Sequence, residues 1–474
     1  MQEPRSLAAA DSDVPAPLPV NDKREIFGWS MYDWANSAFS TTVGAALLGP
    51  YLTDLAQRSV GGENGVVLAL GPLGVVTAKS FFPFCISLSV FLQVFLLPIL
   101  GAIADFTNLK KRLMALFCYL GATATCLLFF VTDGLHLFGG FLFIIANLSF
   151  GAAIVFYNAF LNDITTEDRR DKVSSRGFAL GYLGGGLLLL ANLVLVLGAD
   201  ALGITTGLAV RISLLSAGIW WAGFALITFR RLKTREPAQP LPPDTNYLTI
   251  GFTELRKTFR ELRRLPQTFR YLLGYIFFND GIQTVIALAS VFLSQELFVA
   301  RGLEIDQSFL IGLILMVQFV AFIGALVFER IAAALGTKNA IMISLVIWSA
   351  VVIYAYGFLQ TVPQAWAMGA MIALVLGGSQ ALSRALFSRM IPAGREASFY
   401  GIYEISERGT SWIGPFIFGL VVAQTNSYRQ AILSLIVLFV AGLVILFFTD
   451  TDRAIHEAGN RLPSEAGTSK PARA

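Results

Sequence analysis

Charge is scarce in this chain: only 14% of its 474 residues are Asp, Glu, Lys or Arg, against roughly 25% in an ordinary soluble domain. Histidine is scarcer, with two copies, and cysteine numbers three. So few His and Cys leave no metal-ligand cluster. Cys85, Cys118 and Cys126 all fall inside apolar runs, which excludes a disulfide framework and fits buried thiols. No nucleophile–base set and no nucleotide motif is present. "GYLGGG" (181–186) sits mid-span with no strand before it, so it reads as close helix packing rather than a phosphate loop. Chemistry needing a soluble catalytic domain has no room, so neither an enzyme nor a cofactor is expected. A net charge of +4 implies no nucleic-acid partner, because the basic residues sit in loops.

What the chain has in abundance is apolar mass: 55% hydrophobic residues, with 39 Phe and 43 Gly. That profile is an all-α polytopic membrane protein. A span needs ~20 mainly apolar residues, and about twelve segments qualify: 28–56, 81–105, 113–132, 137–162, 173–199, 209–230, 268–299, 308–334, 338–358, 364–392, 396–424 and 428–449. With the N-terminus inside, the inner loops collect Lys110, Lys111, Arg112, Arg169, Arg170, Lys172 and Arg176. They also take Arg230, Arg231, Lys233, Arg235, Arg256, Lys257, Arg260, Arg263 and Arg264. Arg58, Lys79, Arg211, Arg301 and Arg429 remain outside. The asymmetry places both termini in the cytoplasm. Residues 1–24 and 451–474 read as disordered tails, the first without the apolar core of a cleaved signal. The outer loop 57–80 reads as a partly buried cap.

The division is six spans (25–230), a linker (231–267) and six spans (268–450). Within the linker Phe252, Leu255, Phe259 and Leu262 recur at helical spacing opposite Arg and Lys, an amphipathic helix for the anionic inner leaflet. The halves echo each other. "GAIADFTNLKKR" (101–112) and "ALVFERIAAALGTK" (325–338) each end a helix on an acid, Asp105 or Glu329, followed by basic residues. "RDKVSSRG" (170–177) is matched by "GREASFYG" (394–401). The first span pairs Asp33 with Asn36 as the seventh pairs Asp280 with Gln283, acid and amide on one helix face.

"GAIADFTNLKKR" resembles the loop signature of the major facilitator superfamily, although no Arg directly follows Asp105. "YDWANSAF" (32–39), "GGSQALSRALFSRMIP" (377–392) and "GREASFYGIYEISERGTSWIGP" (394–415) resemble the vacuole-effluxer-like branch, the autophagy-related amino-acid permeases and their bacterial relatives. The likeness covers about 25–450. It implies two pseudo-symmetric six-helix bundles, alternating access, and amino acids or similar amphoteric solutes moved outward. It also implies a cytoplasmic gate, here Gly101, Asp105, Lys110, Lys111, Arg112, Asp163, Asp171 and Arg176; the alternative is that these charges only set topology.

Ionisable residues at bilayer depth cost ~2.5–3.5 kcal/mol each on insertion scales, so they face a cavity or one another. The expected solute cavity is lined by Asp33, Asn36, Asn279, Asp280, Gln283, Gln380, Arg384, Tyr403 and Glu404. Arg384 is expected to clasp an anionic group bidentately. With both His outside the spans, a carboxylate must carry any coupled proton, and Asp33, Asp280, Glu404 and Glu407 are the candidates. The competing reading is that these charges merely fasten helices, Glu404 pairing Arg408 four residues on. Asn147, Asn158 and Asn192 read as interhelical hydrogen-bonding groups. The chain is thus expected to be a monomeric secondary transporter in lipid, in a bacterial inner membrane. Its rivals are an exporter of lipids or amphipathic drugs and a non-transporting sensor or scaffold.

Overall fold

The computed structural model describes residues 19–62, 64–69, 71, 75–235, 247–303, 307–409 and 413–462. Among these, ten helical segments are long and apolar enough to cross a membrane. They include α3 (Ala78–Asp105), α4 (Lys110–Leu127), α5 (His136–Ile164), α6 (Arg170–Leu197) and α7 (Thr206–Arg231). In the second half they include α9 (Pro266–Leu297), α10 (Gln307–Leu335), α11 (Thr337–Gly357) and α12 (Val362–Arg389). The last crossing is α15 (Tyr428–Ser434) continued by α16 (Ile436–Phe447).

The first and eleventh crossings are interrupted. The first runs as α1 (Lys23–Ala38), a π-helical stretch Phe39–Leu47, and α2 (Leu48–Val60). Its polar segment explains the break: the Thr41 hydroxyl donates to the Ser37 carbonyl at 2.7 Å and Ser40 to the same oxygen at 3.1 Å, competing with the regular ladder. The eleventh runs as α13 (Glu396–Glu404), a π turn Ile405–Gly409, and α14 (Ile413–Thr425). π-bulges concentrate at functional sites. Both breaks fall in crossings that carry an acid in mid-span, Asp33 in the first and Glu404 in the eleventh.

Twelve crossings in two six-helix bundles form the fold. α1 packs on α6 and α7 and α4 on α5 in the first; α10 packs on α12 and α9 on α16 in the second. The bundles meet along α6 against α10 and α12, and along α3 and α5 against α13. The Gly-rich run of α6 permits the packing it was expected to: a Cβ at Gly181, Gly184 or Gly185 meets Ser37, Trp34 or Thr41 of the first crossing within 3 Å.

The loops rich in Lys and Arg share one end of the molecule, the basic end. Both ends of the described chain emerge there: the Asn21 amide donates to the Ile164 carbonyl at 2.9 Å, and the Asp450 amide to Gln267 of α9 at 3.0 Å. The tails differ from expectation where they are described. Lys23 and Arg24 already belong to α1, capped by Asp22. Residues 451–457 form α17 (Thr451–Glu457), which buries Ala454 and Ile455. Residues 1–18 and 463–474 lie outside the described residues. The outer loop holds a short hairpin, β1 (Val66–Ala69) with β2 (Val75–Thr77); Val76 is buried but Val66 and Val75 are exposed, so it is less a cap than expected.

Helix α8 (Tyr247–Arg264) occupies the linker. Leu262 is buried and Phe259 exposed, whereas the side chains of Phe252 and Leu255, and residues 236–246, lie outside the described residues. Beside Leu262, the protein-facing side carries a polar row: Glu254, Thr258 and Glu261 meet Arg395 at the start of α13.

Candidate functional site

A cavity of about 530 Å³ lies between the bundles. Its floor is mid-span, at Asp33, Asn158, Arg384 and Glu404, and its walls climb through Gly44, Ile86, Val90, Phe143 and Ala287. Those positions follow the first crossing, α3, α5 and α9 away from the basic end, so the cavity opens at the opposite end. One side is apolar (Phe143, Phe150, Ile154), the other polar (Asn36, Ser37, Tyr182, Gln283, Gln380).

Most of the expected site residues converge here. Asp33, Asn36, Gln283, Gln380, Arg384, Tyr403 and Glu404 all line the cavity, as does Glu407. Asn279 and Asp280 do not. Asn279 donates to the Glu407 carbonyl at 3.0 Å. Asp280 is 1% exposed and accepts the Gly414 amide at 2.6 Å, capping α14 from the side, with its second oxygen unpartnered among the described residues. The acid–amide repeat is therefore asymmetric: in the first half both members face the hollow, in the second only Gln283 does.

Arg384 also departs from the expected anion clasp. It reaches from α12 into the first bundle and is 4% exposed. Nε donates to the Ser174 hydroxyl at 2.9 Å, Nη2 to the Ser174 carbonyl at 3.0 Å and to Asp33 at 3.3 Å, and Nη1 to the Asn158 side chain at 3.4 Å. Four of five N–H groups are thus engaged, leaving no free bidentate fork. Three rings surround the guanidinium carbon, Phe178 at 4.2 Å, Trp29 at 4.9 Å and Tyr157 at 5.4 Å. Tyr157 donates its hydroxyl to Asp33 at 2.6 Å. Asn158 donates to Glu404 at 2.9 Å, so one amide of the first half joins an acid and a base of the second. Glu404 is fully buried. The side chain of Arg408, its expected partner, lies outside the described residues. Gln380 accepts from Tyr182 at 2.6 Å, a second bridge between bundles.

The basic end is shut. Asp105 accepts the amides of Ala397 and Ser398 at 2.9 and 2.8 Å, capping α13 from the other bundle, where a carboxylate complements the helix dipole. Gly101 permits it, since a Cβ there would strike the Ala397 carbonyl. Lys110 pairs Asp163 at 3.0 Å within the first half, and Lys111 donates to the Leu232 carbonyl at 2.6 Å. Asp171 pairs Arg389 of α12 at 2.9 Å. Arg112 and Arg176 are exposed, and no ion pair or hydrogen bond among the described residues involves their side chains, so they stand outside this closure. Sequence reading missed Arg170, whose guanidinium donates to the Ser388 carbonyl at 2.9 Å, and Arg389, which also donates to the Glu167 carbonyl. It also missed Arg395, paired with Glu254 and Glu261 at 3.2 and 3.0 Å. Arg170 reads in sequence only as an inner-loop charge, and Arg389 and Arg395 lie in the two strings that carry the resemblance without standing out as closing residues. Asn147 and Asn192 do bond between helices, to Ser89 at 2.7 Å and to Thr42 at 3.4 Å.

Two six-helix bundles around a polar midplane hollow, closed at one end and open at the other, define a transporter of the major facilitator fold. The solved structures agree on that fold. A bacterial homologue of the iron transporter ferroportin in an outward-facing state has a TM-score of 0.61 at 13% identity, covering 90% of this chain and 98% of its own. The fucose:proton symporter FucP of E. coli (N162A) has a TM-score of 0.64 at 11% identity, covering 90% and 100%. The model for the family described as "Vacuole effluxer Atg22 like" matches residues 21–459, and the chain belongs to that family. An uncharacterized MFS-type transporter, YxiO of Bacillus subtilis (strain 168), is 30% identical over 92% of this chain and 97% of its own. Autophagy-related protein 22-1 of Aspergillus niger is 24% identical over 96% and 94%.

Proposed function

We propose that the protein moves small amphoteric solutes, amino acids first among them, by alternating access of the two bundles 25–230 and 268–450 around the hollow. The basic end faces the cytoplasm and the cavity opens outward, in a bacterial inner membrane, with the chain working as a monomer. The reading is carried by one observation: Asp33, Asn36, Gln283, Gln380, Arg384, Tyr403 and Glu404, drawn from both bundles, share one cavity beside an apolar wall. An amphoteric solute needs acids and bases near each other, and its side chain needs the Phe143–Phe150 side. The relatives' efflux and autophagy names favour an outward direction.

A proton is the proposed coupling ion, and the acids at cavity depth are its carriers. Asp280 remains among them although it lies behind the wall, because it is a mid-span carboxylate with an oxygen that has no partner among the described residues. The test is flux in proteoliposomes with and without a pH gradient. Wild type is expected to move labelled leucine or arginine faster with the gradient, Asp33→Asn and Glu404→Gln to lose at least about tenfold of that flux, and Asp280→Asn to lose its gradient dependence. Unchanged flux in Asp33→Asn and Glu404→Gln removes the cavity assignment.

A further inference from the structure

The group that Arg384 occupies belongs wholly to the other bundle. Trp29 and Asp33 come from α1, Tyr157 and Asn158 from α5, Ser174 and Phe178 from α6; only Arg384 comes from α12. Towards the guanidinium, the first bundle presents nothing but acceptors and ring faces: a carboxylate, a backbone carbonyl, a hydroxyl, an amide oxygen and three π systems. That is the composition of a cation site.

The aromatic and acidic side of the box is held without its occupant. Trp29 stacks on Tyr157 with centroids 4.4 Å apart and donates its indole N–H to the Tyr157 carbonyl at 2.8 Å. The Tyr157 hydroxyl fixes Asp33. Gly177 gives the room: a Cβ there would lie 2.5 Å from the Asp33 carboxylate and 3.0 Å from Trp29. None of these bonds involves α12, whereas the Ser174 hydroxyl donates to the Ala381 carbonyl of α12 at 2.7 Å and Asn158 to Glu404 at 2.9 Å.

Opening the basic end separates Ser388 and Arg389 from α5 and α6. Arg384 lies about one turn up the same helix, so it withdraws with them. An apolar-walled box holding Asp33 is then left without a cation, and a buried carboxylate without its partner is costly, a cost that a cation entering from the basic end relieves. When the bundles close there again, the tethered guanidinium returns at high effective concentration and displaces the newcomer towards the cavity above.

We propose that the box formed by Trp29, Tyr157, Phe178, Asp33, Ser174 and Asn158 is a binding site for an organic cation, the ammonium or guanidinium group of the transported solute, and that Arg384 is its built-in competitor. The direction of movement rests on the transporter reading; the site itself does not.

The experiment measures thermal unfolding of purified protein with methylguanidinium, using neutral methylurea as the same-shape control. Arg384→Ala empties the box, and Arg384→Met, which keeps the stem, serves if that variant does not fold. Methylguanidinium is expected to stabilise the emptied variant in a saturable way and methylurea not to. Apparent affinity should fall roughly tenfold or more in wild type, where the tether competes, and by a similar factor when Asp33→Asn is added. Equal effects of the two probes, or binding indifferent to Asp33, overturn the proposal. Labelled arginine counterflow separates the two readings. Binding without flux keeps the site and removes the transporter reading, whereas flux without methylguanidinium binding removes the site alone.

Discussion

At the residue scale the closest tolerances lie around Asp33. Gly177 packs against it with no space for a methyl group, whereas Gly223, on the exposed side of α7, has nothing within 4 Å of its Cβ position. Gly177→Ala must push apart the Asp33–Arg384 contact and is expected to destabilise the protein by about 1–3 kcal/mol. Gly223→Ala, in an open helix interior, is expected to be neutral or stabilising by up to about 1 kcal/mol. Thermal unfolding of the pair in one detergent checks both, and a Gly177→Ala variant as stable as wild type would contradict the packing described. Asp33 itself was legible from sequence, because a carboxylate among aromatics at span depth demands a reason. Its partner was not. Asp33 and Arg384 lie 351 residues apart, and no periodicity relates them.

At the scale of elements, two helices are tied to parts of the chain far away. The first is α13, capped by Asp105 of α3. Asp105→Ala removes both acceptors from its N-terminus, a loss of about 0.5–2 kcal/mol for a cap, and this cap joins the two bundles. A cysteine at Ser388, buried where they meet, is expected to react faster with a thiol reagent in that variant, in a background without the three native cysteines. An unchanged rate would show that the cap does not hold the basic end. The second is α8, fastened through Glu254 and Glu261 to Arg395. Arg395→Ala removes the bond that ties Glu261 to α13 and leaves Glu254 only Lys257 of its own helix, and trypsin is expected to cut sooner at Arg256, Arg260, Arg263 or Arg264; equal cleavage would mean that α8 is held by Leu262 and its neighbours alone. The apolar stripe of α8 was readable in sequence, but its acidic contact was not, because the stripe says which face avoids water and nothing about what the adjacent face meets. At the chain's beginning, the Lys233 ammonium holds the Asp22 carboxyl below its ordinary value of 3.8. A depressed folded-state value adds stability above that range and loses it as pH falls. The gap in unfolding temperature between wild type and Asp22→Asn should therefore be small, present near pH 6, and close below about 3.8.

At the scale of the whole molecule, closure of one end and opening of the other follow from where the interbundle bonds lie. Asp105 to α13, Arg389 to Asp171, Arg170 to Ser388 and Arg384 to its box all cluster between mid-span and the basic end, and beyond them the cavity lies beside the α6–α10 contact and the Tyr182–Gln380 bond. Hydrophobic run length and the placement of Lys and Arg are local properties, so the sequence by itself determined an α-helical membrane protein of about twelve crossings with its basic loops on one side. Acids and amides at forbidden depth required, in the same way, either a polar hollow or partners for one another. Only the tertiary structure decided which of them share it. Asp33 and Asp280 have the same motif on the same kind of helix, yet one faces the cavity and the other caps a broken helix behind it. A helix face is fixed by its neighbours rather than by its own residues, and the neighbour that decides Asp280 is the α14 start at Gly414, 134 residues away.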